Sequence, residues 1–307
     1  MKWRKLGLLY QPDGTIPWAV SHAMVPTPVL LNDEVLRVYM NCCDTSQILR
    51  PGYVDLQASD ITRVMRVSQQ PLLEPGTSGS FDDNGVVAVS VVKVEPELLY
   101  MYYVGFELGT KIRYRLLTGL AISEDAGETF KRVSRTPVLE RSDDELYFRC
   151  APHVLFENGR FRMWYIAGSE WTTVGDKTVP VYDLRYAESD DGVRWPAAGR
   201  VCMRVNDPDE HGFGRPWVIH DPEGYRMFYS VRRRSLGAYR LGYAESANGL
   251  DWNRRDTILG IDVSETGWDS EAVMYAAVTS LRGNTYALYN GNEFGKDGFG
   301  AAVLERE

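Results

Sequence analysis

One local pattern returns down the whole chain. An apolar-aromatic run ends in polar residues, as VYMNCCD at Val38 to Asp44, MYYVGFE at Met101 to Glu107 and MWYIAGSE at Met163 to Glu170. It comes back as MFYSVRR at Met227 to Arg233 and LYNGNE at Leu288 to Glu293. A second run leads into a Ser/Asp/Gly turn closed by an aromatic: AISEDAGETF at Ala121 to Phe130, YAESDDGVRW at Tyr186 to Trp195 and YAESANGLDW at Tyr243 to Trp252. Five units about 55 to 65 residues apart imply a closed radial stack of small sheets, because each repeat can bury its faces only against its neighbours.

The strand signals fit that reading. Segments such as Val86 to Val94, Phe161 to Ala167 and Tyr225 to Val231 are short and rich in β-branched and aromatic residues. Turn residues separate them at Glu157-Asn158-Gly159, Pro222-Glu223-Gly224 and Arg282-Gly283-Asn284. No long stretch has a 3.6-residue period. The expectation is an all-β, five-bladed β-propeller forming a single domain over residues 1–307. The last blade lacks a fourth strand, and Trp3 to Tyr10 has nothing to pair with in the first. The N-terminal strand is therefore expected to close the last blade, which leaves no exposed seam.

The formal charge of -8, from 34 basic and 42 acidic side chains, disfavours binding to nucleic acid. No stretch approaches the apolar length of a transmembrane helix, and the N-terminus is too polar for a signal peptide. No membrane association is expected. Cys42, Cys43, Cys150 and Cys202 lack metal-ligand spacing and read as free thiols of a reducing, cytoplasmic protein. No metal and no cofactor are expected.

Radial stacking brings the innermost strands to an axial channel, so polar residues where those strands begin collect at one mouth. The blade openings offer His22, Asp82 and Asp83, Arg149, Arg215, then Asp269 and Glu271. The ends of the next strands offer Asp44, Glu107, Glu170, Arg232, and Asn292 or Glu293. The Ser/Asp/Gly turns lie far from the axis and read as structural.

Ser123 to Phe130 resembles the Asp-box of sialidases, and the later turns resemble those of five-bladed glycosidases. The whole chain resembles the five-bladed β-propeller superfamily of glycoside hydrolases and glycoside phosphorylases, which includes arabinanases, xylosidases, fructosidases and mannoside phosphorylases. Phe81-Asp82-Asp83-Asn84-Gly85-Val86 matches the aspartate segment that opens a blade in that superfamily. Arg149-Cys150-Ala151-Pro152 is loosely similar to its substrate-binding Arg-Asp-Pro motif, and Arg215-Pro216-Trp217 repeats the idea. Blade one departs from the pattern: Ser21-His22-Ala23-Met24-Val25-Pro26 lacks the superfamily's aspartate base. Asn206-Asp207-Pro208-Asp209 is a chance look-alike of a fructosidase motif.

The resemblance implies an enzyme that cleaves a glycosidic bond in a small carbohydrate or glycoside. Such chemistry needs one carboxyl group to protonate the leaving oxygen and another to attack or activate water. Asp83 is the first candidate, with Glu271 or Glu170 as partner and His22 as a base in the place of the missing acid. Asp82, Glu107, Arg149, Arg215 and Arg232 are candidates for binding substrate. Trp171, Trp217 and Tyr239 are candidate stacking surfaces. Two alternatives stay open. One is a phosphorylase using inorganic phosphate, cradled by Arg149, Arg215 and the run Arg232 to Arg234. The other is a non-catalytic propeller that binds carbohydrate or protein.

Overall fold

The computed structural model describes residues 1–305. Strand β1 (Trp3–Tyr10) comes first in the chain but belongs to the last blade. Blade one contains β2 (Ser21–Leu30), β3 (Val35–Cys43), β4 (Leu49–Gln57) and β5 (Asp60–Val67). Blade two has β6 (Val86–Lys93), β7 (Leu99–Leu108), β8 (Tyr114–Ser123) and β9 (Lys131–Arg132). Blade three has β10 (Phe148–Glu157), β11 (Arg160–Val174), β12 (Lys177–Ser189) and β13 (Arg200–Met203). Blade four has β14 (Glu210–Asp221), β15 (Gly224–Arg233), β16 (Ala238–Ser246) and β17 (Asn253–Arg254). Blade five has β18 (Met274–Leu281), β19 (Asn284–Asn290), β20 (Phe299–Leu304) and then β1 as its outer strand. The expected all-β five-bladed propeller and its N-terminal closure are both present.

Closure rests on more than the antiparallel β1–β20 ladder, in which Trp3 faces Leu304 and Tyr10 faces Phe299. The Trp3 indole donates to the Leu259 carbonyl at 2.8 Å. Lys5 Nζ donates to the Asp262 carbonyl at 2.6 Å and to buried Asp269 at 2.7 Å. Leu9 packs into the blade-one core with Ala23, Leu36 and Val38. The first strand thus fastens blade five to blade one.

The Ser/Asp/Gly turns join neighbouring blades. Ser123 and Asp125 hold the backbone amides of Gly127 and Thr129, and Ser189–Asp191 and Ser246–Asn248 repeat this. The turn glycine's carbonyl then accepts a hydrogen bond from the preceding blade. The donors are Arg37 to Gly127 at 3.0 Å, Tyr102 to Gly192 at 2.8 Å and Trp164 to Gly249 at 2.7 Å. Each turn glycine has a positive φ and sits against an aromatic ring or phenol, so both conformation and space favour glycine.

The innermost strands β2, β6, β10, β14 and β18 each carry a bulge at the same level. Ladder pairing skips Val25-Pro26, Val89, Ala151-Pro152, Arg215-Pro216 and Tyr275-Ala276. Proline has no amide hydrogen, so it is tolerated where the ladder is already broken. Val25, Ala151 and Tyr275 take positive φ values there.

The bulge turns Arg215 into the axis. Its guanidinium donates to the Tyr275 carbonyl at 2.9 Å, Thr27 Oγ1 at 2.9 Å and the Val89 carbonyl at 3.3 Å. One side chain from blade four therefore ties together blades five, one and two. It has no carboxylate partner among the described residues, and burial pulls its pKa down to about 9, leaving it charged at neutral pH. Beside it, buried His153 packs on Trp217 with 4.4 Å between ring centroids, and neither of its ring nitrogens has a partner. Burial first, then the Arg215 charge, lower the His153 pKa to about 3.

Two expectations follow. Deleting residues 1–10 removes the closing strand and lowers the melting temperature by about 10 °C or more, read by calorimetry. The second concerns acid. The unfolded chain protonates His153 near its ordinary value, about pH 6.5, whereas the native state resists until about pH 3. Its contribution is therefore complete above about pH 6.5 and lost as the pH falls, by about 2–3 kcal/mol at pH 4.5. Denaturant unfolding of His153→Leu between those pH values should show a correspondingly flatter slope than the native protein.

Candidate functional site

Several acids at the blade openings turn outward into the blades. Asp82 accepts from Arg132 of β9 at 2.8 Å, Tyr103 OH at 3.3 Å and Ser80 Oγ at 2.9 Å. Glu145, fully buried, meets Tyr165 OH at 2.9 Å, Arg185 at 3.0 Å and the Arg149 guanidinium. Glu210 is paired with Arg254 of β17 at 2.7 Å. Asp269 meets Lys5 of β1 and Tyr289 OH at 2.8 Å. Three of the four acids thus take their cation from the outermost strand of their own blade. Blade one lacks this set: Met40 stands in the tyrosine position, and Trp18 fills the space over Gly52.

This geometry separates the sequence candidates. Asp82 and Arg149 are spent on contacts inside their blades. Arg149 also donates to the Glu140 carbonyl at 2.6 Å and the Pro196 carbonyl at 2.9 Å. Arg215 crosses the axis below the mouth. The Trp217 indole donates to the Val278 carbonyl at 2.8 Å, and Trp171 packs on Phe148 and Tyr114. Glu107 pairs with Arg115 at 3.1 Å, and Asp83 accepts from the Gly79 amide at 2.8 Å. Glu170 is exposed in a separate groove with Asp183, Arg185 and Arg204.

A cavity of about 740 Å³ lies at the end of the propeller where the inner strands begin. Its wall brings together Glu271, Arg232 and Glu293 from the sequence candidates, with Tyr239. Arg234, from the candidate run Arg232 to Arg234, joins them, and the wall adds His211, Arg113, Lys177 and Phe294. Strands β11 and β12 run on past the blade, and their tip at Gly175-Asp176 forms one side. Arg234 links that side to the β15–β16 loop through Thr172 Oγ1 at 3.2 Å.

Glu271 enters the cavity from the start of the inner strand of blade five. The Asn292 side chain fixes its backbone, with Oδ1 accepting the Glu271 amide at 2.8 Å and the Ala272 amide at 3.2 Å. Its carboxylate makes no hydrogen bond or ion pair among the described residues. Asn292 opens the turn that presents Glu293 and Phe294, both in left-handed backbone conformation. Such conformations are costly for side-chain-bearing residues and often mark functional sites. Phe294 is 43% exposed and meets Tyr239 edge-on at 6.2 Å, making an aromatic lip. His22 lies behind this turn, its amide bonded to the Lys296 carbonyl at 3.2 Å, and does not line the cavity.

His211 begins blade four at the position that Glu271 occupies in blade five, counted from the bulges. Its Nδ1 donates to the Pro180 carbonyl at 3.1 Å, leaving Nε2 as the unprotonated nitrogen. Burial lowers its pKa, and the Arg232 and Arg234 charges lower it further, so the ring is neutral at neutral pH. His211 is not among the sequence candidates, which take Arg215 for the opening of blade four. The signal available was the scarcity of histidine, with only four in the chain.

No protein-family model matches the chain. It is 35% identical over 305 residues to the uncharacterized protein Rv1502 of Mycobacterium tuberculosis, covering 99% of this chain and 100% of that one. A second M. tuberculosis strain supplies MT1551, also uncharacterized, at the same identity and coverage. The chain belongs to the family of Rv1502.

This chain shares its fold with several solved structures. A glycoside hydrolase superposes with a TM-score of 0.77 at 17% identity, covering 99% of this chain and 92% of the other. A thermostable family-43 glycoside hydrolase gives 0.69 at 16%, covering 97% and 93%. A structure from the GH130 family of mannoside phosphorylases, which contains glycoside hydrolases that target β-1,2-mannosidic linkages in Candida mannan, gives 0.68 at 16%, covering 99% and 93%. At these identities the likeness establishes the five-bladed fold. No helix among the described residues is long and apolar enough to cross a membrane, and no cluster among them has a metal-ligating geometry.

The inward and outward sets predict different phenotypes. Arg149→Met leaves Glu145 buried with fewer partners and should cost about 3 kcal/mol, seen as a melting temperature about 6–12 °C lower. The same variant should leave ligand binding at the mouth unchanged at temperatures where it remains folded.

Proposed function

We propose that this protein cleaves a glycosidic bond in a small glycoside bound in the mouth cavity. One observation carries the reading: two carboxylates, Glu271 and Glu293, face a single cavity on the axis of a propeller, coupled through Asn292. Two carboxyl groups on either side of an anomeric carbon are the minimum equipment for this chemistry. Glu293, paired with Lys296 at 3.0 Å, takes the role of base or nucleophile in this reading. Glu271, free of any cation, is then the proton donor to the leaving oxygen. Tyr239 and Phe294 offer aromatic faces for the sugar ring. Asp83 and Glu170, outside this cavity, give way to Glu293 as partner.

A phosphorylase is the second reading. Arg232, Arg234, Lys177 and Arg113 in the same wall favour it, since an attacking phosphate needs a cationic cradle.

The test is a screen of aryl glycosides and short oligosaccharides with and without inorganic phosphate. Release of free sugar in both conditions identifies hydrolysis, and a sugar 1-phosphate formed only with phosphate identifies phosphorolysis. Glu271→Gln and Glu293→Gln should each lower kcat about 10²–10⁴-fold with little change in melting temperature. Full activity in both variants would remove these residues from the mechanism.

A further inference from the structure

Arg232 stands apart from the other arginines. Every other described arginine that is not exposed has an oxygen acceptor or an ion-pair partner, as with Arg37 and Asp55, Arg149 and Glu145, and Arg254 and Glu210. Even Arg215, without a carboxylate, meets three oxygens. Arg232 makes no hydrogen bond and no ion pair among the described residues. It is the penultimate residue of β15, opposite Gly212 and Tyr239 in the two flanking ladders, and it lies in the wall of the mouth cavity.

Its surroundings are rich in donors. The guanidinium carbon sits 4.7 Å from the Tyr239 ring centroid and 5.9 Å from that of Tyr182. Tyr275 and Tyr114 complete the group of phenols whose charge would interact with it. Burial opposes the Arg232 charge, yet its pKa does not fall below the ordinary arginine value, so it remains a cation. Burial pushes the Tyr182 and Tyr275 hydroxyls well up, so they remain neutral. Arg234, Lys177 and Arg113 add positive charge to the same wall, in a chain whose net charge is -8. Neighbouring Arg233 instead turns toward Glu210 at 4.0 Å, so strand alternation delivers Arg232 to the cavity while its neighbour joins the blade.

A partly buried guanidinium with unused donors is costly unless something supplies acceptors. We propose that Arg232 is the centre of an oxyanion subsite, and that the ligand of the mouth cavity carries a phosphate or carboxylate group. Resting on the glycoside reading above, this makes the substrate an acidic glycoside, one bearing a phosphoryl ester or a uronate. The planar guanidinium suits either group, because both present two oxygens to its fork. The phenols and the Arg234, Lys177 and Arg113 charges surround the bound anion.

The test measures binding without turnover. The folded full-length protein is titrated calorimetrically with inorganic phosphate, methyl β-glucuronide, glucose 6-phosphate and neutral methyl β-glucoside, at low and at moderate salt. At least one anionic probe should saturate, and the neutral glycoside should bind at least ten-fold more weakly. Arg232→Met should weaken the anionic probe about 10–100-fold and leave the neutral glycoside unchanged. Arg113→Gln, at the exposed rim, should weaken it about two- to three-fold, an effect that salt removes. Arg255→Met, on the outer face, should bind like the native protein.

Preference for glucuronide or glucose 6-phosphate over inorganic phosphate places the anion on the sugar. Preference for inorganic phosphate places it on the co-substrate and overturns the acidic-glycoside assignment while keeping the subsite. The subsite itself is overturned if no anionic probe binds, or if Arg232→Met and native protein bind them equally. The two readings fail separately. Anion binding with no glycoside cleavage defeats the enzyme assignment alone, and cleavage of neutral glycosides with no response to Arg232→Met defeats this one alone.

Discussion

The propeller depends on a buried carboxylate near the root of a blade that is answered from the blade's outer edge. Asp82 with Arg132, Glu210 with Arg254 and Asp269 with Lys5 are three versions of one contact. Each joins the start of an inner strand, or the segment just before it, to the outermost strand, so each spans the blade. Removing the cation would leave the buried carboxylate without its partner, which is why such pairs specify an arrangement more firmly than they add net stability. In blade five the cation comes from the opposite end of the chain. The contact that organises a single blade there also ties the first strand into it.

Most of the architecture was legible because it is periodic. The aromatic runs, the turn residues and the unpaired strand at Trp3 to Tyr10 specify five blades and the manner of their closure. The site was less legible, and the reason is local. Inner-strand bulges insert residues that pairing skips, and these shift the register between blades. Counting from sequence placed Arg149 beside Arg215, whereas the bulges place Ala151 there and leave Arg149 facing Glu145. The X-Pro pairs at Val25-Pro26, Ala151-Pro152 and Arg215-Pro216 were a usable marker, because proline inside a central strand signals a broken ladder. Asp82 shows the same difficulty: its carboxylate belongs to Arg132 and Tyr103, a fact that depends on side-chain direction rather than sequence position.

The mouth cavity combines groups that the sequence scatters widely. Glu271 and Glu293 come from blade five, His211 and Arg232 from blade four, and the overhanging tip from blade three. Ring geometry makes these neighbours, since the inner strands begin on one side. The left-handed turn at Glu293 and Phe294, held beside Glu271 by Asn292, lets the chain leave a strand and still aim an acid and an aromatic ring inward.

Arg215 has a consequence for traffic. By bonding across the axis to blades one, two and five, it floors the central passage below the mouth. The propeller is accordingly a cup and not a tube. A molecule that enters backs out through the opening it used, and under the proposed cleavage the two fragments would depart in sequence. The one lodged deeper waits for the one nearer the rim, so the order of departure is written into the shape of the vessel.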